Sequence, residues 1–203
     1  LKVLIMFMNG LVLGVKDVPL FVSQWNSYGH ELYLKGGAIQ AQIAQNVMGG
    51  DAAGEINVVS MWDSIDVSMR AISELRVNPQ ISEGLHAAGV TTLRRSLFAV
   101  DNERGQCEGE FSSLLAVRGE SADKATLNAN ADAFWSFLQK GANGQRLGRG
   151  IAGSQLYGMH ISVVYTDSLD ALVAASNDMW ADSSIQERIE KLSAQPVSRY
   201  FYR

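Results

Sequence analysis

The stretch that decides the fold runs from Gly49 to Ala99, and its centre reads VVSMWDSID over residues 58–66. It returns as Gly153 to Arg203, with SVVYTDSLD at residues 162–170, when the 203-residue chain is shifted by 104 positions. Ten of the 51 aligned residues are identical, whereas unrelated segments of ordinary composition would share about three. The excess predicts that the chain is a tandem duplication of one folding unit.

Each copy of this stretch reads as strand, helix, short helix and strand. The first strand of each copy is dense in β-branched and aromatic residues. The Asp-Ser pairs that follow it can accept hydrogen bonds from the free N–H groups of a helix start. The predicted ranges are 56–62, 93–100, 160–166 and 197–203 for the strands, and about 79–86 and 184–192 for the short helices.

Two further elements precede the repeated stretch in each half. Residues 3–16 and 111–117 are apolar and predict strands, and each is followed by a helix with an apolar residue at every third or fourth position. A further strand is predicted at 38–47, and a weaker one at 145–151. Each half therefore reads β-α-β-β-α-β. We expect a first repeat over 1–100, a linker over 101–107 and a second repeat over 108–203.

This element order predicts an α+β protein made of two ferredoxin-like repeats. A four-stranded sheet of this kind has helices on one face only, so its other face needs a partner. The second copy on the same chain can supply that partner. We therefore expect an intrachain pseudo-dimer, packed sheet to sheet as a barrel with a cavity between the sheets. The outer strands would remain open to further homo-oligomerisation.

Composition narrows the function classes. The net charge of -4 gives no basic surplus for neutralising phosphates, so we expect no nucleic-acid partner. A single cysteine excludes an intrachain disulfide and is typical of a reducing, cytoplasmic location. The apolar start, residues 1–8, resembles a signal-peptide core, but no small-x-small cleavage site follows it. Asn9, Gly10 and Gly14 then keep the apolar run too short for a membrane span. We expect a soluble protein with no membrane association.

The chain resembles the dimeric α+β-barrel superfamily, which includes antibiotic-biosynthesis-monooxygenase-like domains. The segments that carry the resemblance are Val58–Asp66, Asn78–Leu85 and Val163–Asp170. Members of this superfamily range from cofactor-free oxygenases of polycyclic aromatics to haem degraders and isomerases. The resemblance therefore implies the barrel fold, and it does not select one reaction.

The haem-degrading members imply a specific test. They place a ligating histidine in the short helix near His86 and a tryptophan in the preceding helix, but residues 67–73 hold no tryptophan. We therefore predict no haem and no other cofactor. His30, His86 and His160 are scattered along the chain, and no Cys-rich or His-rich motif accompanies them, so we predict no metal site.

The candidate site is centred on His160. Alternation along its strand puts His160 and Ser162 on one face, and we expect this less apolar face to line the cavity between the sheets. The other copy would add Ser60 and Trp62 to the same cavity. A histidine there could act as a base near neutral pH. The alternative is a histidine at the strand edge, bonded to backbone or water.

Two arginines complete the candidate site. Arg95 and Arg199 occupy the same position in the two copies, among apolar residues. An arginine in such surroundings could bind a carboxylate or phenolate. Its repetition also allows a structural role, pairing with Asp63 and Asp167 or with Glu83 and Glu187.

Two hypotheses for the function follow. The first is a protein that binds a small apolar or aromatic molecule between its sheets, and that could act on it as a cofactor-independent monooxygenase or isomerase. In this hypothesis His160 is the base, and Ser60, Trp62, Arg95, Ser162 and Arg199 contact the ligand. The second is a non-catalytic structural or interaction protein whose barrel is filled by side chains. An open cavity that contains His160 would favour the first.

Overall fold

The computed structural model describes residues 6–153 and 155–203. Its strands are β1 (Met6–Gly14), β2 (Gln40–Met48), β3 (Ile56–Trp62), β4 (Thr91–Gly105), β5 (Phe111–Arg118), β6 (Gly144–Ala152), β7 (His160–Thr166) and β8 (Gln195–Tyr202). Its α-helices are α1 (Val18–Gln24), α2 (His30–Lys35), α3 (Ile65–Val77), α4 (Pro79–Ala87), α5 (Lys124–Leu138), α6 (Leu169–Ala181) and α7 (Ser183–Lys191). A π-helical turn, Trp25–Gly29, joins α1 to α2. The predicted start of β1 at residue 3 lies outside the described residues.

The strands form one closed barrel in the order β1-β3-β2-β8-β5-β7-β6-β4, and all neighbouring strands are antiparallel. Each half contributes four consecutive strands, β4-β1-β3-β2 and β8-β5-β7-β6, which is the predicted ferredoxin-like arrangement. The halves join through β2–β8 and β4–β6. The expectation of free outer strands is wrong, because these two pairings satisfy the outer strands of both halves.

Helix starts in the two halves use the same caps, 104 positions apart. Ser64 Oγ accepts from the N–H that opens α3, and Ser168 Oγ does the same for α6. Asn78 and Asp182 cap α4 and α7 in the same way. These contacts are local, since each side chain bonds an amide three residues ahead, so the predicted helix starts are confirmed.

Irregular pairing also recurs in the two halves. The register shifts between residues 12 and 13 against β4, and between residues 116 and 117 against β8. Each shift inserts one extra residue into the partner strand, as a β-bulge does. Another shift lies at residues 100–102, where β4 continues through the segment expected to be a linker. Residues 101–105 therefore belong to a strand that crosses from the first half to the second.

The main hydrophobic core fills part of the barrel interior. Met8, Met61, Phe98, Ile161 and Tyr165 are at most 5% exposed and pack together there. The expected orientation of β3 and β7 is therefore wrong, because Val59 and Val163 point into the barrel, whereas Val58 and Ser162 face the helices. For β7 the physical reason is enclosure, since eight strands shield the interior and apolar residues gain most from leaving water.

The helices cover the outside of the barrel in two groups, α1–α4 over the first half and α5–α7 over the second. No helix in residues 6–153 and 155–203 is long and apolar enough to cross a membrane. The same residues bring together no group of three or more histidine, cysteine or acidic side chains.

Candidate functional site

A cavity of about 380 Å³ lies between the outer face of the second-half sheet and helices α5–α7. Its walls are largely apolar and come from every element of that half. The apolar lining residues are Leu115, Val117, Leu127, Phe134, Leu138, Leu147, Val164, Met179, Trp180, Ile189, Leu192 and Pro196. The volume is at the lower end of the ~300–1,000 Å³ typical of small-molecule sites. We call this space the helix–sheet cavity.

Arg199 supplies a positive charge to this cavity. Its Nε donates to Ser113 Oγ at 2.9 Å, and its Nη2 donates to Ser176 Oγ at 3.3 Å. Its guanidinium also lies 5.0 Å from the centre of the Phe201 ring. In the described part of the chain no carboxylate forms a salt bridge with it. Burial lowers the pKa of the guanidinium because its charge is partly desolvated without a counter-charge.

Gln145 lines the same cavity and holds an unused acceptor buried in its wall. The residue is 2% exposed, and its Nε2 donates to Ser162 Oγ at 3.2 Å. Its Oε1 is buried and has no hydrogen-bond partner. A buried carbonyl oxygen without a partner costs free energy, so this atom favours occupancy of the cavity by a group that can donate.

His160 stands at the rim, at the start of β7. Its Nε2 lies 3.1 Å from the backbone oxygen of Glu120. A carbonyl oxygen can only accept, so Nε2 carries the proton and Nδ1 of the neutral ring keeps its lone pair. Asp101 lines the cavity nearby, and burial raises the pKa of its carboxyl more than the charge of Arg149 lowers it.

Arg188 and Asn130 form the remaining polar contact of the cavity wall. Arg188 Nη1, on α7, donates to Asn130 Oδ1, on α5, at 2.9 Å. Asn130 is 6% exposed, so this bond satisfies a buried amide and ties the two helices together.

Comparison with solved structures shows which known proteins have a similar fold. No family model and no curated protein matches the chain. A candidate chlorite dismutase matches with a TM-score of 0.64 at 6% identity, covering 98% of this chain and 94% of that one. The chain has the dimeric α+β-barrel fold. A haem-binding protein from Thermus thermophilus matches with a TM-score of 0.59 at 7% identity, covering 98% of this chain and 90% of that one. An anthrone oxidase-like protein matches with a TM-score of 0.54 at 14% identity, covering 97% of this chain and 91% of that one.

These identities are too low to carry a function from those proteins to this one, so the likeness concerns the fold. The predicted dimeric α+β-barrel fold is confirmed. The strand order and the closed eight-stranded barrel agree with it.

This α+β barrel brings together part of the predicted site. His160, Ser162 and Arg199 all line the helix–sheet cavity. They face the helices and not the space between the sheets, because the whole outer face of β7 and β8 is turned that way. Neither arginine pairs with the acidic residues suggested for a structural role, and Asp167 instead accepts from the backbone N–H of Glu110 and from Asn143.

The first-half residues of the predicted site lie elsewhere. Trp62 is 0% exposed, and its Nε1 donates to Ser60 Oγ at 2.9 Å beneath α2 and α3. Neither residue contributes to the helix–sheet cavity. Arg95 is exposed and lines a smaller space of about 100 Å³ between the first-half sheet and its helices. The six predicted residues therefore do not form one site.

The space of about 100 Å³ between the first-half sheet and its helices is the counterpart of the helix–sheet cavity. Phe21 and Trp25 line it, and the corresponding stripe positions on α5 are Leu127 and Ala131. Smaller residues in the second half thus accompany the larger cavity. Sequence reasoning missed Gln145, Asp101 and Arg188, since no spacing marks them. One signal was available, because the polar pair His160 and Ser162 aligns with the apolar pair Ile56 and Val58.

Proposed function

We propose that the helix–sheet cavity binds a small, largely apolar or aromatic molecule that carries an acidic group. The observation that carries the proposal is Arg199, a half-buried guanidinium in an apolar cavity with no carboxylate partner among the described residues. Two of its five N–H groups are used by Ser113 and Ser176, so three remain for a planar anion. A ligand carboxylate would restore charge balance.

A second polar group on the ligand is favoured by Gln145. Its unpartnered Oε1 requires a donor, and a hydroxyl on an aromatic ring can donate there while the ring contacts Phe134, Val164 and Trp180. The ligand class is therefore a hydroxylated aromatic acid. The size of the cavity suits a molecule of one or two rings.

Proton transfer is the activity we assign to His160. Its Nδ1 lone pair can accept a proton from an acidic C–H beside a carbonyl, and the electron pair of that bond moves to the carbonyl oxygen as an enolate. Arg199 would stabilise the enolate charge. Return of the proton to another atom gives an isomer without any co-reactant, and an oxygenase of this type would need only dioxygen in addition.

Haem is suggested by one structural neighbour, but the residues here do not fit it. Haem iron is held in proteins by histidine, thiolate, tyrosinate, or methionine paired with histidine. Within the described residues, helices α5–α7 carry no histidine, cysteine or tyrosine to join Met179, and His160 sits at the rim, tied to Glu120. The cavity of about 380 Å³ also suits one or two rings better than a four-pyrrole macrocycle. No step of the proposed function involves haem.

The alternative function, a non-catalytic protein with a filled barrel, has less support. A void of about 500 Å³ remains between the sheets, and His160 lines a cavity of its own on the helix side. Both observations favour ligand binding over simple filling.

The test uses 4-hydroxybenzoate as probe, with binding measured by calorimetry. Losing hydrogen bonds to a charged group costs about 1.5–3 kcal/mol, so Arg199→Met should weaken binding about 10- to 150-fold. Arg95→Met is the matched control, since it changes the same repeat position outside the cavity, and it should bind as the wild type does. Equal losses in both variants, or equal affinity of wild type for neutral 4-hydroxybenzamide, would contradict an anion site at Arg199.

The proton-transfer role has a separate test. Phenylpyruvate combines an aromatic ring, a carboxylate and an enolisable C–H, and its exchange of hydrogen for deuterium is followed by NMR in heavy water. The wild type should accelerate this exchange, and His160→Gln should abolish the acceleration while 4-hydroxybenzoate still binds. Exchange at the buffer rate in the wild type would remove the catalytic role and leave the binding proposal standing.

A further inference from the structure

The interior of the barrel contains a second cavity, of about 500 Å³, on the opposite side of the sheet from the helix–sheet cavity. Inward-facing side chains of seven strands line it, and it reaches the surface beside the turn that joins β2 to β3, where Asp51 and Ala52 contribute to its wall. The polar groups deep inside are amides and hydroxyls, from Gln42, Asn46, Asn57, Ser112, Tyr200 and Tyr202. We call this space the barrel cavity.

The charged residues that line the barrel cavity are exposed or ion-paired, as Glu55 is with Arg94 at its mouth. Burial raises the pKa of Tyr202, with further contributions from Tyr200 and Glu55, so its phenol stays protonated at neutral pH. Tyr165 is likewise protonated, since burial raises its pKa, and it accepts a hydrogen bond from Arg146 Nη1 at 2.9 Å. A wall of this kind suits an uncharged molecule, unlike the helix–sheet cavity.

Asn46 supplies a specific anchor inside the barrel cavity. It is 2% exposed, and its Oδ1 is buried with no hydrogen-bond partner. Its backbone groups are already used, by the carbonyl of Glu55 and the amide of Gly54. Oδ1 is shielded from the cavity, and in the described part of the chain Nδ2 makes no hydrogen bond, so Nδ2 is the end of the side-chain amide that can donate to a guest hydroxyl.

The ring surfaces next to Asn46 indicate the rest of the guest. Tyr200 and Asn46 flank Gly49, where an added Cβ would lie 2.3 Å from Tyr200 Cδ1 and 2.7 Å from Asn46 Nδ2. Tyr200 and Tyr202 have ring centres 6.4 Å apart in a tilted pair, and Phe98 adds a third ring to the lining. Aromatic walls beside amide and hydroxyl groups are the surroundings that favour a ring carrying hydroxyls.

We propose that the barrel cavity is a second binding site, specific for a small uncharged hydroxylated aromatic molecule that hydrogen-bonds to Asn46. The site is independent of the function proposed for the helix–sheet cavity, because the two spaces lie on opposite faces of the sheet and favour guests of different charge. One chain thus offers a site for an aromatic acid and a site for a neutral phenol.

The experiment uses resorcinol, a neutral dihydroxybenzene, as probe, with binding followed by NMR titration. Wild type should bind it saturably, and Asn46→Leu should weaken binding about 2- to 12-fold, the loss expected for one neutral hydrogen bond. Arg199→Met should leave resorcinol binding unchanged, and 4-hydroxybenzoate should not displace it. Asn46→Leu should fold, since it removes a buried carbonyl that has no partner, and its melting temperature checks this.

A second variant keeps the test decisive if Asn46→Leu does not fold. Gly49→Ala forces the Tyr200 ring to move, since the new methyl would overlap it, and it should also weaken resorcinol binding. Absence of saturable binding to the wild type would show a water-filled void only and overturn the proposal. Equal affinity of wild type and folded Asn46→Leu, or loss of binding in Arg199→Met, would overturn it as well.

Discussion

Replacing Gln145 by methionine should make the unliganded protein more stable and its ligand complex weaker. The native side chain is 2% exposed, with Oε1 unpartnered and Nε2 bonded to Ser162 at 3.2 Å. Methionine has a similar length and an apolar end, so it fills the same space beside Leu147 and Val164. The substitution removes the buried carbonyl oxygen and also the one hydrogen bond.

The two free-energy terms have opposite signs, and their sizes decide the outcome. A buried acceptor without a partner costs about 1–3 kcal/mol, whereas the neutral bond to Ser162 contributes about 0.5–1.5 kcal/mol. Ser162 is half-buried at the cavity and can turn to water. We therefore expect a net gain of about 1 kcal/mol, which raises the melting temperature by about 2–4 °C in a chain of this size.

Thermal unfolding followed by circular dichroism measures the first effect, and calorimetry with 4-hydroxybenzoate measures the second. Binding should weaken about 2- to 12-fold, because the ligand hydroxyl loses its acceptor. Gln80→Met, at an exposed position on α4, is the control and should change neither quantity. A fall in melting temperature on Gln145→Met would refute the reasoning, since it would mean that Oε1 is well bonded in the empty protein.

Two further changes test the core and the rim of the second half. Leu172 is 0% exposed on α6, so Leu172→Ala should lower the free energy of unfolding by about 2–5 kcal/mol in urea titrations; a loss below about 1 kcal/mol would place it outside the core. Burial raises the pKa of Asp101, so the native state holds this proton more tightly and wild-type stability falls as pH rises from about 3.9 through the raised value. Asp101→Asn should remove that fall, so the variant should be more stable relative to the wild type at pH 7 than at pH 3. Curves of unfolding free energy against pH that run parallel for the two proteins would contradict this prediction.

Local chemistry made much of the fold predictable from the sequence. The caps Ser64 and Ser168 act within one helical turn, and the β-branched strands at 56–62 and 160–166 have the predicted ends. The two-fold repetition of these signals predicted a ferredoxin-like half whose sheet needs a second sheet. The duplication itself stays a prediction, and the recurring caps and bulges agree with it.

The orientation of the strand faces could not be predicted from the sequence, because it depends on how the barrel closes. Alternation along β7 separates His160 and Ser162 from Ile161 and Val163, but it does not predict which of the two faces is enclosed in the barrel interior. That depends on barrel closure through β2–β8 and β4–β6, and closure depends on pairs of residues far apart in the chain. Residues 101–105 were expected to form a linker because their polar composition is typical of a loop, whereas among the described residues they pair with β6 as the end of β4.

The two halves divide stability and binding between them. Where the first half places Ile56 and Val58 against its helices, the second half places His160 and Ser162, and its cavity is about 380 Å³ against about 100 Å³. The second half also keeps a desolvated Arg199 charge and an unpartnered Gln145 oxygen, each of which destabilises the empty protein. At the position of Gln145 the first half has Ala41, whereas it keeps an arginine, Arg95, at the position of Arg199. A ligand whose carboxylate pairs with Arg199 and whose hydroxyl donates to Gln145 would remove both costs at once.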